Sequence, residues 1–154
     1  VFCKTNPMVF LKLYKTCIRL MLEFANFAWT PVLQRNILLL ESVQRRATRI
    51  PYGRVRPNYC ERLAVMNLTT LSERRKRGDL VTAFQSLSNS QSPIHHLFTL
   101  STDQRIRGHR FKLAKDHFIT TVRQFFIVNR VFHDWNSLPQ EIVDSQSTAS
   151  FKVR

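Results

Sequence analysis

The sequence predicts a mainly α-helical protein, a helical bundle with a small extended or β-hairpin segment. Three observations lead there. Apolar residues recur at three- and four-residue steps through four long stretches. The six prolines fall between those stretches and not inside them. Of the 154 residues 44% are hydrophobic and only three are Gly, a composition that suits packed helices and excludes a disordered basic tail.

The first element is expected over residues 9–29. The stretch is apolar enough to raise a membrane span, yet Lys12, Lys15, Arg19 and Glu23 recur along one face. Phe10, Tyr14, Cys17, Met21, Phe24 and Ala28 line much of the other side. That is an amphipathic helix and not a membrane-spanning one. Asn6 and Pro7 form an N-cap and first-turn pair, and Pro31 forces a break after Trp29. A second helix is expected over residues 32–49, with Leu33, Ile37, Leu40 and Ala47 on one face and Val43 at its edge. Arg35, Arg45, Arg46 and Arg49 fall in an arc of roughly 100° opposite, with Leu38 as an outlier among them. Pro51, Gly53 and Pro57 mark a turn, followed by a short helix over residues 59–65.

Thr70-Leu71-Ser72-Glu73 has the spacing of a capping box, and a third long helix runs from it to about Leu87. Its apolar face is Leu80, Val81, Ala83, Phe84 and Leu87. The first turn departs from that pattern: Glu73 and Arg77 stand four apart, a spacing that allows an ion pair, and Arg74 and Arg75 point away. This helix is expected to bury its second half and project its basic first half. Residues 88–93 read as a polar loop, and residues 105–115 as a short strand or hairpin around Gly108. A last long helix covers residues 122–135. Phe125, Val128, Val131, Phe132 and Trp135 lie on one side of it, and Arg123, Phe126, Arg130 and His133 on another. Pro139 ends that element, and a short C-terminal helix holds Phe151.

Charge narrows the function. The chain has 24 Lys and Arg against 10 Asp and Glu, a net +14, and 17 of the 24 cations are Arg. An isolated metabolic enzyme rarely needs such an excess; a polyanionic partner explains it more simply. The excess is uneven: residues 1–77 hold 15 cations against 4 acids, and residues 44–77 alone hold 10 against 2. Arginine's planar fork grips phosphate oxygens, so a helical Arg stripe beside an Arg-Arg-Lys-Arg turn reads as a phosphate track. The plainer alternative is a solvated face that keeps the chain soluble, although such faces usually mix signs.

The chemistry of an enzyme is missing from the pattern. Asp79, Asp103, Asp116, Asp134 and Asp144 are scattered, whereas two-metal polymerase or nuclease chemistry needs clustered carboxylates. His95 and His96 are adjacent but without ligands at metal spacing, and His109, His117 and His133 have no recognisable Cys or Ser partner. With three glycines there is no phosphate-cradling loop. The Arg123–Phe126–Arg130–His133 face reads first as packing, and otherwise as a platform for an unpaired base. Cys3, Cys17 and Cys60 form neither a disulfide framework nor a zinc knuckle, which suits a reducing compartment. The first residue is Val, so the chain reads as a piece of something longer.

Six blocks of sequence carry a resemblance. Leu13-Tyr14-Lys15-Thr16, with Leu22-Glu23-Phe24-Ala25 and Trp29-Thr30-Pro31, forms the first. Leu40-Glu41-Ser42-Val43-Gln44-Arg45-Arg46-Ala47-Thr48-Arg49-Ile50 forms the second. Glu61-Arg62-Leu63 and Leu71-Ser72-Glu73-Arg74-Arg75-Lys76-Arg77-Gly78-Asp79-Leu80 follow. Arg107-Gly108-His109 comes next, with Ile106 where the pattern usually has Thr, then Phe126, Asn129-Arg130-Val131 and Trp135-Asn136-Ser137-Leu138-Pro139, closed by Phe151-Lys152. In this order they resemble the C-terminal part of reverse transcriptases from LINE-type (non-LTR) retrotransposons, jockey-like and related groups. The match spans nearly the whole chain. It departs at Ile50-Pro51-Tyr52-Gly53-Arg54-Val55-Arg56-Pro57, where the family usually has about two apolar residues and then Pro-Gly.

The resemblance implies a thumb-adjacent, post-polymerase segment; a basic helical thumb-like region over residues 1–90 and a C-terminal segment with hairpin and helix over residues 91–154 are expected to form one compact unit. Such a segment grips the template–primer duplex or the element RNA, while the endonuclease and the polymerase centre lie elsewhere. No cofactor is then expected in this segment, Mg belonging to the absent polymerase module. The expected partners are RNA, an RNA–DNA hybrid or target DNA, and the upstream polymerase domain, with no membrane. The expected location is the nucleus, with cytoplasmic passage. Arg35, Arg45, Arg46, Arg49, Arg74, Arg75 and Arg77 are the expected phosphate-contacting residues. The alternatives are a module that docks on the upstream polymerase domain, or a non-functional relic of a decayed reading frame.

Overall fold

The first helix begins where the Asn6-Pro7 pair places it. In the computed structural model, which describes residues 6–53, 57–102 and 108–153, Asn6 Oδ1 accepts the Met8 amide at 2.9 Å and Pro7 opens α1 (Pro7–Leu13). One π-turn, Tyr14–Ile18, follows, and then α2 (Arg19–Glu23). The π-turn inserts one residue into the helical register, which rotates everything beyond it. Phe10 and Tyr14 are buried as their spacing predicts, but Cys17, Met21 and Phe24 face solvent, while Arg19, Leu22 and Glu23 turn partly inward. The helix also ends earlier than Pro31 requires. Ala25 adopts a left-handed φ of 50°, and the turn is held by Trp29 Nε1 donating to the Phe24 carbonyl at 2.9 Å.

The remaining elements are α3 (Gln34–Ala47), α4 (Tyr59–Val65), α5 (Leu71–Ser88), α6 (Thr121–Gln124), α7 (Ile127–Asn136), α8 (Gln140–Val143) and α9 (Thr148–Val153), with 3₁₀ turns at Ile50–Tyr52 and His95–Leu97. The protein is mainly helical, as its periodicity predicts. The expected capping box of Thr70 with Glu73 closes at the head of α5, and a second, not anticipated from the sequence, joins Asn58 and Glu61 at the head of α4. Among the described residues the expected hairpin reduces to one antiparallel bridge between Leu100 and Leu113, with the Ser101 amide donating to the Lys112 carbonyl at 2.7 Å. Arg105, Ile106 and Arg107 of that segment, Asp103, Cys3 and the Arg54-Val55-Arg56 stretch lie outside the described residues.

The chain divides into two compact units, Val1–Arg75 and Lys76–Arg154, with α5 contributing to both. The first unit buries Phe10, Tyr14, Ala47, Leu63, Met66 and Leu68. The second buries Ala83 and Phe84 of α5 against Phe98, Leu113, Ile127, Val128, Val131, Trp135, Val143 and Phe151. Phe84 and Phe151 stack at 4.5 Å between ring centroids. Within this unit the end of α7 holds the extended segment. Trp135 Nε1 donates to the Phe111 carbonyl at 2.8 Å. The Asn136 amide pairs with both the N–H and the C=O of Leu113, at 2.9 and 3.1 Å, as a neighbouring strand would.

The long C-terminal helix expected over residues 122–135 is instead two, α6 and α7, broken at Phe125 and Phe126. Side chains satisfy the carbonyls freed by the break: Asn129 Nδ2 donates to Arg123 O at 2.8 Å and Arg130 Nη1 to Phe125 O at 3.0 Å. The Arg123–Phe126–Arg130–His133 face is thereby divided, although the Arg123 guanidinium still lies 5.3 Å over the Phe126 ring. Phe126 packs against the core, Arg123 pairs with Asp116 at 2.8 Å, and Arg130 makes a two-pronged pair with Asp79 at 2.6 and 2.8 Å.

Candidate nucleic-acid interface

The site is built on α3, and its buried side explains its exposed side. Around the helix the inward face carries Ile37, Leu40, Glu41, Gln44, Ala47 and Thr48; Gln44 and Thr48 are entirely shielded from solvent. Three of these six are polar, and each is satisfied. Gln44 Oε1 accepts the Tyr14 hydroxyl at 2.6 Å, while its Nε2 donates to the Tyr59 hydroxyl and the Thr69 carbonyl, both at 3.0 Å. Glu41 accepts the Tyr59 hydroxyl and, at 3.0 Å, the Leu71 amide at the head of α5. Burial pushes the Tyr14 phenol up to about 12 and raises that of Tyr59 further, Tyr59 also through its hydrogen bond to Glu41.

With that face fixed inward, Arg35, Arg45, Arg46 and Arg49 stand exposed on the opposite side, and none has an ion-pair partner among the described residues. Leu38 and Leu39 share their arc and are also exposed. The Arg45 guanidinium lies 4.6 Å over the Tyr59 ring, which orders it. The last turn of α3 is the negative end of its macrodipole, so Arg45 and Arg46 are stabilised there whatever else they touch.

Beside this stripe is a cleft of about 430 Å³, lined by Arg45, Arg49, Pro57, Asn58, Tyr59 and Arg62. Arg62 belongs to the site although charge counting passes over it. It is 3% exposed and donates to Thr48 Oγ1 at 3.3 Å, the Pro57 carbonyl at 2.6 Å and the Arg45 carbonyl at 3.5 Å. The available signal was its position: Tyr59, Arg62, Leu63 and Met66 form an i, i+3, i+4, i+7 stripe, a core pattern with an arginine inside it.

The second expected patch differs from its prediction. Arg74 and Arg75 do not project. Arg74 grips Glu23, with Nη2 donating at 3.0 Å and Nε closer still, and this carboxylate raises the Arg74 pKa further. Arg75 is 6% exposed, donates to the Leu22 carbonyl at 3.1 Å and lies 5.9 Å over the Trp29 ring. The cause is the π-turn, which brings Glu23 and the Leu22 carbonyl around to meet them. The Glu73–Arg77 pair is replaced as well. Glu73 is occupied in its capping box, and Arg77, exposed, donates to the Lys152 carbonyl. The structure therefore brings together Arg35, Arg45, Arg46 and Arg49 as one solvent-facing stripe, and turns Arg74 and Arg75 to structural partners.

Three of the five scattered aspartates have arginine partners: Asp79 with Arg130, Asp116 with Arg123, and Asp144 with Arg110 at 3.3 Å. Among the described residues no group of three or more His, Cys, Asp or Glu is placed to hold a metal ion, and no helix is long and apolar enough to cross a membrane. No protein-family profile, curated protein or solved structure matches the chain.

Proposed function

We propose that the protein is a non-catalytic nucleic-acid-binding segment that tracks phosphates with the α3 arginine stripe, and that it belongs to the C-terminal region of a non-LTR retrotransposon reverse transcriptase. The observation that carries the binding reading is the stripe itself: Arg35, Arg45 and Arg46 exposed on α3 and Arg49 in the turn just after it, without carboxylate partners among the described residues. Such a helix presents charge to a polyanion at fixed spacing and needs little reordering on binding. The reverse-transcriptase context rests on the six sequence blocks, and with it come an RNA or RNA–DNA hybrid partner, a nuclear location and a polymerase centre with its Mg supplied from elsewhere.

The test is the salt dependence of binding to an RNA–DNA hybrid. Replacing Arg45, Arg46 and Arg49 together by Gln should flatten the slope of log affinity against log salt by about 2–3 units, because each phosphate contact releases counterions. An unchanged slope overturns the stripe.

A second reading, docking on an upstream polymerase domain, is favoured by one observation. Leu38, Leu39 and Val43 of α3, with Met21 and Phe24, are all exposed within the first unit. Concentration-dependent self-association of the isolated chain without nucleic acid supports that reading.

A further inference from the structure

We propose that the cleft between the end of α3 and the start of α4 is a discrete binding site for one phosphate group, with Arg62 as its buried positive floor and Arg45 and Arg49 at its sides. This rests on the phosphate-track reading and sharpens it, from a stripe of charge to one subsite.

The argument begins with an uncompensated charge. Arg62 is almost wholly withdrawn from water, yet every described acceptor it reaches is a neutral oxygen: a threonine hydroxyl and two backbone carbonyls. No carboxylate lies within ion-pair distance of it among the described residues. Buried cations are ordinarily matched by an anion, because desolvating an unmatched one is costly. The two acids of the neighbouring elements are engaged elsewhere. Glu41 accepts the Tyr59 hydroxyl and the Leu71 amide, and Glu61 accepts the Asn58 amide at 3.0 Å and its side-chain Nδ2 at 2.7 Å.

The unmatched guanidinium also borders open space. Among the described residues, the cleft of about 430 Å³ has three arginines and no acid in its lining. The arginines are pre-set: Arg45 lies over the Tyr59 ring at 4.6 Å, Arg62 over the same ring at 5.6 Å, and the Arg62 side chain is tied to the Arg45 carbonyl. Guanidinium forks match phosphate oxygens in geometry as well as charge. The shared ligand chemistry is a phosphate oxyanion, presented either by a phosphodiester inside a strand or by a terminal phosphate monoester.

The experiment titrates inorganic phosphate into the whole chain at constant ionic strength, balanced with chloride, and follows the arginine Nε–Hε resonances by NMR. The expected result is a saturable shift at Arg62 and Arg49, with the midpoint raised about tenfold in Arg49→Gln and unaltered in Arg110→Gln. Arg49 is exposed, so that variant keeps the fold, and Arg45→Gln provides a second exposed site. A shift that does not saturate, or an unchanged midpoint in both cleft variants, overturns the site. Methyl phosphate and dimethyl phosphate then separate the two sources: equal binding assigns the cleft to a strand interior, and binding of the monoester alone assigns it to a strand end. The two proposals fail separately. Absent phosphate binding with a flattened hybrid salt slope removes the cleft and leaves the track; saturable phosphate binding with an unchanged slope removes the track.

Discussion

Gln44 shows what a single residue decides. Its side chain joins Tyr14 of the first helical segment, Tyr59 of α4 and the Thr69 carbonyl ahead of α5, so the amide ties three parts of the first unit to α3. Gln44→Leu keeps the volume but leaves Tyr14 and Thr69 without that partner, and it should lower stability by about 2–4 kcal/mol, read as a reduced urea midpoint. His109 plays the corresponding part in the second unit. It is 2% exposed, its Nε2 lies 3.0 Å from the Trp135 carbonyl, and its Nδ1 has no partner among the described residues. Burial lowers its pKa below 6.5, opposed by the Trp135 hydrogen bond and reinforced by Lys112. The folded state thus prefers the neutral imidazole. Its stabilisation is full above about pH 6.5 and is lost as pH falls from there through the lower folded pKa, since the unfolded chain binds the proton first. Thermal melts from pH 7.5 to 5 should show this fall, and His109→Gln should flatten it.

The ion pairs that matter join elements and are themselves shielded. Asp79 of α5 and Arg130 of α7 have side chains only 5% and 15% exposed. Removing one partner strands the other's charge, so Asp79→Ala should cost about 3 kcal/mol by chemical denaturation. At this scale one can see what the sequence made legible. Element type and order were legible, because helical periodicity and capping residues are local signals: α3, α4 and α5 stand close to their expected bounds. The exposed side of α3 was legible in Arg35, Arg45 and Arg46, but its buried side was not: Glu41, Gln44 and Thr48 are buried, whereas Leu33 and Val43, expected on the apolar face, are exposed. The break between α6 and α7 was not, because it depends on Asn129 and Arg130 satisfying carbonyls in three dimensions. Nor was the inward turn of Arg74, Arg75 and Asp79. Leu71, Arg75, Asp79 and Ala83 share one buried face of α5 at four-residue steps, but the groups that make a polar residue tolerable there, the Leu22 carbonyl for Arg75 and Arg130 for Asp79, lie about fifty residues away in the chain.

Across the whole molecule, two groups of arginines stand apart within the net charge of +14. One set of arginines is structural: Arg62, Arg74, Arg75 and Arg130 are buried or half-buried and held by carbonyls, hydroxyls or carboxylates. The other, Arg35, Arg45 and Arg46 of α3 with Arg49 in the turn after it, faces solvent. Counting charge along the sequence merges these sets, and so overstates the basic surface around residues 74–77 while locating the α3 stripe correctly. The residues that carry the family resemblance divide in a related way. Tyr14, Glu41, Gln44, Arg62, Asp79, His109, Trp135 and Asn136 help build the two interiors, and Arg45, Arg46 and Arg49 are among the residues of the resemblance that stay outside, as are Phe24, Trp29, Lys76 and Arg77.

The π-turn at Tyr14–Ile18 has a bearing on how other chains should be compared with this one. It is, in effect, a one-residue insertion absorbed without leaving the helix. A relative with an unbroken α-helix here should therefore align only with a single-position gap between Tyr14 and Arg19. An ungapped alignment would pair Glu23 with a residue on the wrong side of the helix and make its match to Arg74 look accidental.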